Sequence, residues 1–155
     1  MTPQVLALVR MLALKGKVLD VGSFDVNGCV REYFEDYTGV DMRPGPNVDK
    51  VCNAECLPFE DNYFDHVLCL ESLEHMACFW LCVDEMKRVL KPGGTLVLTA
   101  AGNGFQPHDF PSDYWRFLPA GLEELLKGME EVTAGVLGVR GVFATAKKTE
   151  RGSWI

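Results

Sequence analysis

The chain has 155 residues, 48% of them hydrophobic and 24% charged, which is enough for one domain with a sizeable core. Its formal net charge is −7, and no run of Lys or Arg offsets it, so nucleic acid is not an expected partner. No apolar stretch is long enough to span a bilayer, so no membrane contact is expected either.

In chain order, MTPQVLALVRMLALKGK places Val5, Leu8, Val9 and Leu12 at i, i+3, i+4 and i+7, the spacing of a short amphipathic helix. It lacks a basic stretch before its apolar part and does not read as a signal peptide. KVLDVGSFDVNG, residues 17–28, reads as a buried strand carrying the acid Asp20, then a glycine-containing turn. A second helix is predicted over about 28–36, capped by Asn27, with Val30, Tyr33, Phe34 and Tyr37 on one side. YTGVD is a short strand ending in Asp41, and MRPGPN is a loop. A short strand follows near 48–52, then a stronger one over 64–70 whose unbroken apolar run suggests burial on both faces.

The next helix is predicted over 78–90, with Val83, Met86, Val89 and Leu90 inward. KPGG stops it and GTLVLTAA is the next buried strand. AGNGFQPHDFPSDYWRF has no regular pattern, and a loop of that length in a compact domain is usually functional. Pro119 opens a helix with Leu122, Leu125, Leu126 and Met129 as its stripe. Two final strands, over 132–137 and 141–146, lie close enough to be antiparallel. The six cysteines are Cys29, Cys52, Cys56, Cys69, Cys78 and Cys82. Their spacings fit no common zinc motif, so no metal is expected and they read as small buried residues in a reducing, cytoplasmic setting.

Strands alternating with helices predict an α/β fold: a Rossmann-like, doubly wound, mostly parallel sheet of about seven strands. It has an antiparallel C-terminal strand and helices on both faces, in a single domain over 1–155. Such sheets bind ligands at the carboxyl ends of their strands, where Asp20, Asp41 and Glu71 would face one crevice. Asp41 has the spacing of an acid that accepts from ribose hydroxyls, which would also suit NAD. The turn GSFDVNG argues otherwise, because it lacks the glycine pattern that admits a pyrophosphate. Asp20 and Asp25 would repel such a group and tolerate a cationic ligand carrying an amino group and a sulfonium.

At these residues the chain resembles the class I S-adenosylmethionine-dependent methyltransferases, over 18–147. VLDVGS resembles the family's first motif and GVD its ribose-binding acid. NAECLPFEDNYFDHVLCLESLEH resembles the run from the adenine site into the fourth strand, and MKRVLKPGGTLVLTA the turn into the fifth. HDFPSDYWRFLPAGLEELL is similar to a segment of small-molecule and glycan-associated members. Phe24 and Val26 stand where the family usually has glycines, and Asn53 replaces its adenine-site acid.

The resemblance implies S-adenosylmethionine as cofactor. Gly22 and Ser23 would lie against its methionine part, with Asp20 fixing their loop. Asp41 would hold the ribose, Met42 would lie beside the adenine, Asn53 and Ala54 would edge it, and Glu71 would line the pocket. It also implies methyl transfer to oxygen or nitrogen of a small-molecule or sugar-like acceptor. The alternative is a non-catalytic binding or accessory protein that keeps the fold. If a base is needed, His108 and Asp109 in the long loop are the candidates. His75 either faces the acceptor or bonds only backbone. Tyr114, Trp115 and Arg116 either wall the acceptor pocket or pin the loop to the core.

Overall fold

The computed structural model describes residues 1–108 and 112–150. Helix α1 (Pro3–Leu12) is followed by strands β1 (Lys17–Val21), β2 (Asp36–Asp41), β3 (Lys50–Val51) and β4 (Phe64–Leu70). Then come α2 (Phe79–Val89), β5 (Leu90–Ala101), α3 (Pro119–Leu125), β6 (Glu130–Leu137) and β7 (Gly141–Lys147). The strands form one seven-stranded sheet in the order β3-β2-β1-β4-β5-β7-β6. Pairing is parallel from β3 through β5, and β7 runs antiparallel to both β5 and β6. This is the Rossmann-like sheet expected from the sequence, with strand order reversing between β1 and β4.

Successive residues of a strand point to opposite faces, and here both faces are covered. Val18, Leu68, Leu70 and Val97 pack with Val5, Leu8 and Val9 of α1. Leu19, Val67, Cys69, Leu96 and Leu98 pack with Val83 and Met86 of α2 and with Leu122 and Leu126 at α3. The central strands are therefore apolar at nearly every position. Helix α1 opens with Pro3 in its first turn and closes at Ala13, whose left-handed backbone (φ 46) returns its N–H to the Arg10 carbonyl at 3.2 Å.

The helix predicted over 28–36 does not form. A single 3-10 turn, Arg31–Tyr33, stands in its place. The Asp25 carboxylate accepts the Gly28 N–H at 2.6 Å and closes a local turn, so Asn27 caps no helix. Strand β2 already begins at Asp36, opposite Lys17, so strand takes the end of the predicted span and the Asp25 turn its start. KPGG also differs from expectation. It bulges from the start of β5, between the pairs Phe64↔Leu90 and His66↔Thr95, rather than preceding the strand.

Two long cations tie α2 to the rest. Arg88 donates to Glu85 Oε1 (2.7 Å), to Asp61 Oδ1 (2.7 Å) and to the carbonyls of Leu57 (2.9 Å) and Phe59 (2.8 Å), fixing the segment before β4. Lys148, just past β7, is buried. Its ammonium donates to the carbonyls of Lys87 (2.7 Å), Leu90 (2.7 Å) and Arg88 (3.3 Å) and to Asn62 Oδ1 (2.8 Å). A helix C-terminus leaves carbonyls without partners, and a cation there satisfies them and suits the dipole. Lys148→Met keeps the apolar stem and strands those carbonyls, so urea denaturation should show a loss of about 2–4 kcal/mol.

Candidate functional site

The carboxyl ends of the parallel strands open into a cavity of about 890 Å³, within the range of small-molecule sites. Every residue expected to meet a cofactor lines it: Asp20, Gly22, Ser23, Asp41, Met42, Asn53, Ala54 and Glu71. His75, His108 and Tyr114 also line it. Asp109 lies outside the described residues.

The turn after β1 is held down by its own backbone. The N–H groups of Gly22 and Ser23 both donate to the Val40 carbonyl, at 2.8 and 3.0 Å. Asp25 N–H donates to the Pro46 carbonyl at 3.1 Å, and Phe24 N–H to Asp41 Oδ2 at 3.4 Å. The N–H groups of Gly22, Ser23, Phe24 and Asp25 are thus directed to the chain itself and not offered to a pyrophosphate. Gly22 has φ +80, and a Cβ on it would lie 2.4 Å from Ser72 Oγ, so this close approach of turn to β4 requires glycine. The Ser72 hydroxyl donates to the Gly22 carbonyl at 3.1 Å. Phe24, in a family glycine position, packs its ring on Gly45, where a Cβ would sit 2.2 Å from the ring. The Arg43 guanidinium lies over the same ring, 4.5 Å from its centroid.

Asp20 is 3% exposed. Tyr37 O–H donates to it at 2.5 Å and accepts from Asn47 Nδ2 at 2.8 Å. The same amide donates to the Ser23 carbonyl at 2.9 Å, while Asn47 Oδ1 accepts from Arg31 Nε at 2.8 Å. Arg31 also pairs with Asp49 at 2.6 Å and lies over the Tyr37 ring, 4.4 Å from its centroid. Burial pushes the Asp20 carboxyl up to about 6, against the Tyr37 hydrogen bond and the Arg31 charge that favour its ionised form.

Asp41, at the end of β2, is largely covered, with its side chain 11% exposed. Its Oδ1 accepts the Arg43 N–H at 3.0 Å and lies 3.6 Å from Arg43 Nε, and its Oδ2 receives the long contact from Phe24. Asn53 Oδ1 accepts the Glu55 N–H at 2.9 Å, which fixes the amide at the rim.

At the far end of the cavity Glu71 sits in the left-handed region (φ 51), a conformation that costs energy for a residue with a Cβ. Its N–H is held by the carbonyl and hydroxyl of Thr99, each at 2.9 Å, and its Oε2 accepts the Thr2 N–H at 3.1 Å. Glu74 follows in the 3-10 turn Leu73–His75. Its side chain is 3% exposed and stands 4.0 Å from His108 Nε2. Burial pushes this carboxyl up, and the neighbouring imidazoles oppose that. His75 Nδ1 lies 2.5 Å from the Ser112 carbonyl, and the His75 and His108 rings meet edge to face at 4.8 Å.

His108 has Asp113 beside it, 3.5 Å from Nδ1. Asp113 accepts two hydrogen bonds from Arg116, at 2.5 and 2.6 Å, which hold it well below the usual carboxylate range, and also accepts the His108 N–H at 2.7 Å. Arg116 further donates to the carbonyls of Phe105 and Gln106. Trp115 donates from Nε1 to the Met76 carbonyl at 3.1 Å and packs on Phe79 and Trp80. Trp115 and Arg116 therefore pin the loop and do not line the cavity, whereas Tyr114 does. Sequence reasoning passed over Glu74, Asp113, Tyr37 and Asn47. Glu74 had a usable signal, because it follows a strand that ends at the same pole as Asp20 and Asp41.

Comparison with known proteins gives a family match and relatives of related fold. Residues 19–98, half of the chain, match the family model of the methyltransferase domain. The chain is 40% identical over 72 residues to the ubiquinone/menaquinone biosynthesis C-methyltransferase UbiE of Neisseria meningitidis, a match over 45% of this chain and 29% of that protein. It thus spans less than a third of the curated relative's length. A SAM-dependent methyltransferase of Thermotoga maritima superposes with TM-score 0.76 at 19% identity, over 93% of this chain and 87% of the other. An N-methyltransferase of Haemonchus contortus in complex with S-adenosylhomocysteine superposes with TM-score 0.71 at 17% identity, over 94% and 52% of the two chains.

Asp20 offers a test of the site's electrostatics. An acid whose folded value lies above its unfolded value binds more protons in the folded state, so its ionisation destabilises the fold. The penalty is absent below about pH 4 and complete above about pH 6. Asp20→Asn keeps an oxygen for Tyr37 and removes the charge. Its stability relative to the parent should rise between pH 4 and 7 by up to about 3 kcal/mol in urea melts; a difference that stays constant over that range would refute the assignment.

Proposed function

The chain belongs to the methyltransferase domain family, and from that premise we propose that it transfers a methyl group from S-adenosylmethionine to oxygen or nitrogen of a small-molecule or sugar-like acceptor, in the cytoplasm. The observation that carries this reading is one cavity lined by carboxylates at the ends of adjacent strands. Asp20, Asp41, Glu71 and Glu74 all reach it, beside a first turn whose Gly22, Ser23 and Asp25 N–H groups are already engaged. Such a cavity suits a cation and not a pyrophosphate. Its volume and the close packing at Gly22 fit the proposed cofactor.

When bound, S-adenosylmethionine supplies an activated methyl on a sulfonium. The chain's part is to bind, orient and keep water out. Asp41 Oδ2, with the Phe24 N–H at 3.4 Å, is the oxygen that would accept a ribose hydroxyl. Gly22 and Ser23 would border the methionine moiety, Met42, Asn53 and Ala54 the adenine. Phe24, packed on Gly45, would flank the nucleoside. On the acceptor side, Tyr114 contributes a wall and His108 a base, with Asp113 steadying its Nδ1.

Calorimetric titration with S-adenosylhomocysteine tests the assignment. Asp41→Ala should weaken binding by one to two factors of ten, the loss of a charge-assisted hydrogen bond. Trp115→Phe, outside the cavity, should leave it unchanged. Absence of binding by the parent chain would overturn the reading.

A further inference from the structure

Methyl transfer as proposed needs one base at most, yet Glu74, His75 and His108 converge in the cavity. One ligand atom from each lies within 4.8 Å of the other two. Glu74 Oε2 is buried and has no hydrogen-bond partner among the described residues. A buried carboxylate oxygen left so is costly unless a cation reaches it. Both imidazoles are held from behind. His75 Nδ1 is 2.5 Å from the Ser112 carbonyl, and His108 Nδ1 is 3.3 Å from the Gln106 carbonyl and 3.5 Å from Asp113. Those acceptors favour the proton on Nδ1 and leave each Nε2 as a lone pair. Metal-binding histidines carry this same outer support.

We propose that Glu74, His75 and His108 bind a divalent transition-metal ion, with its remaining positions open to water or to an acceptor oxygen. Two imidazoles and one carboxylate are a borderline donor set, suited to zinc, cobalt, manganese or ferrous iron. It is a poor set for calcium or magnesium, which take mainly oxygen ligands. Bonds of about 2.1 Å place ligand atoms roughly 3–4 Å apart around one ion, so the triad must close by about an ångström. His108 is 39% exposed on the loop after β5 and has room to make that movement. The ion would compensate the buried Glu74 carboxylate. An acceptor hydroxyl bound to it would give up its proton to solvent more readily. In the loaded protein His108 is a ligand and the ion replaces it as the activating group.

The test uses the whole chain, stripped with chelator and titrated with Co²⁺ without S-adenosylmethionine, followed by calorimetry and visible absorption. One saturable site is expected, with weak d–d bands and no intense thiolate charge-transfer band in the near ultraviolet. Glu74→Gln and His108→Ala should each weaken it at least tenfold. Circular dichroism checks folding, and His108, being partly exposed, is the variant least able to disturb it. No saturable binding, a thiolate band pointing to the cysteines, or unchanged affinity in both variants would overturn the proposal. The titration contains no cofactor, so its failure and a failure to bind S-adenosylhomocysteine are separate results.

Discussion

The hydrogen bond from Tyr37 to Asp20 does for one half of this molecule what a helix does for the other. Between β4 and β5 the crossover contains α2, which buries an apolar face on the sheet. Between β1 and β2 the described chain has only a 3-10 turn. The loops there are held by polar contacts instead: Asp20 to Tyr37, Tyr37 to Asn47, Asn47 to Ser23 and Arg31, Arg31 to Asp49. Such a network fixes geometry when every member is satisfied and is expensive when one is missing. Asp49 also accepts the Gly39 N–H at 2.8 Å, so the network reaches into β2 itself.

This arrangement also explains how the first turn tolerates Phe24. A turn that folded over a phosphate would need glycines so that backbone could approach the ligand. Here the turn folds over β2, its N–H groups spent on Val40 and Pro46. The bulky ring leaves sideways to Gly45. Glycine is needed where turn meets β4, at Gly22, and that is the one the sequence keeps.

The sheet was legible in the sequence because its signals are local and strong. The run 64–70 became β4 with the same bounds, and Pro119 opens α3. The acids at the strand ends were legible too, because topology alone sends them to one edge. The missing helix was not. Val30, Tyr33 and Phe34 do face the core beneath α1, so the apolar spacing was real, but a turn closed by Asp25, a 3-10 turn and an early start of β2 occupy the span. The Glu74, His75 and His108 cluster was hidden for another reason. Its members come from a 3-10 turn and a distant loop, which contacts such as Trp115 to the Met76 carbonyl and Tyr114 N–H to the Glu74 carbonyl bring together.

Lys148 carries a consequence for the order in which the molecule can be completed during synthesis. It closes the last carbonyls of α2, about sixty positions earlier in the chain. Strand β7 lies between β5 and β6, so until it emerges β5 has a bare edge and α2 an uncapped end. Both defects are repaired by the same segment, β7 with Lys148 just past it. A nascent chain halted before that point exposes an unpaired strand, the feature that most readily recruits another chain. Completion of the sheet and capping of the helix therefore await the same stretch, which begins at the cavity with Gly141 and Val142 and ends at Lys148.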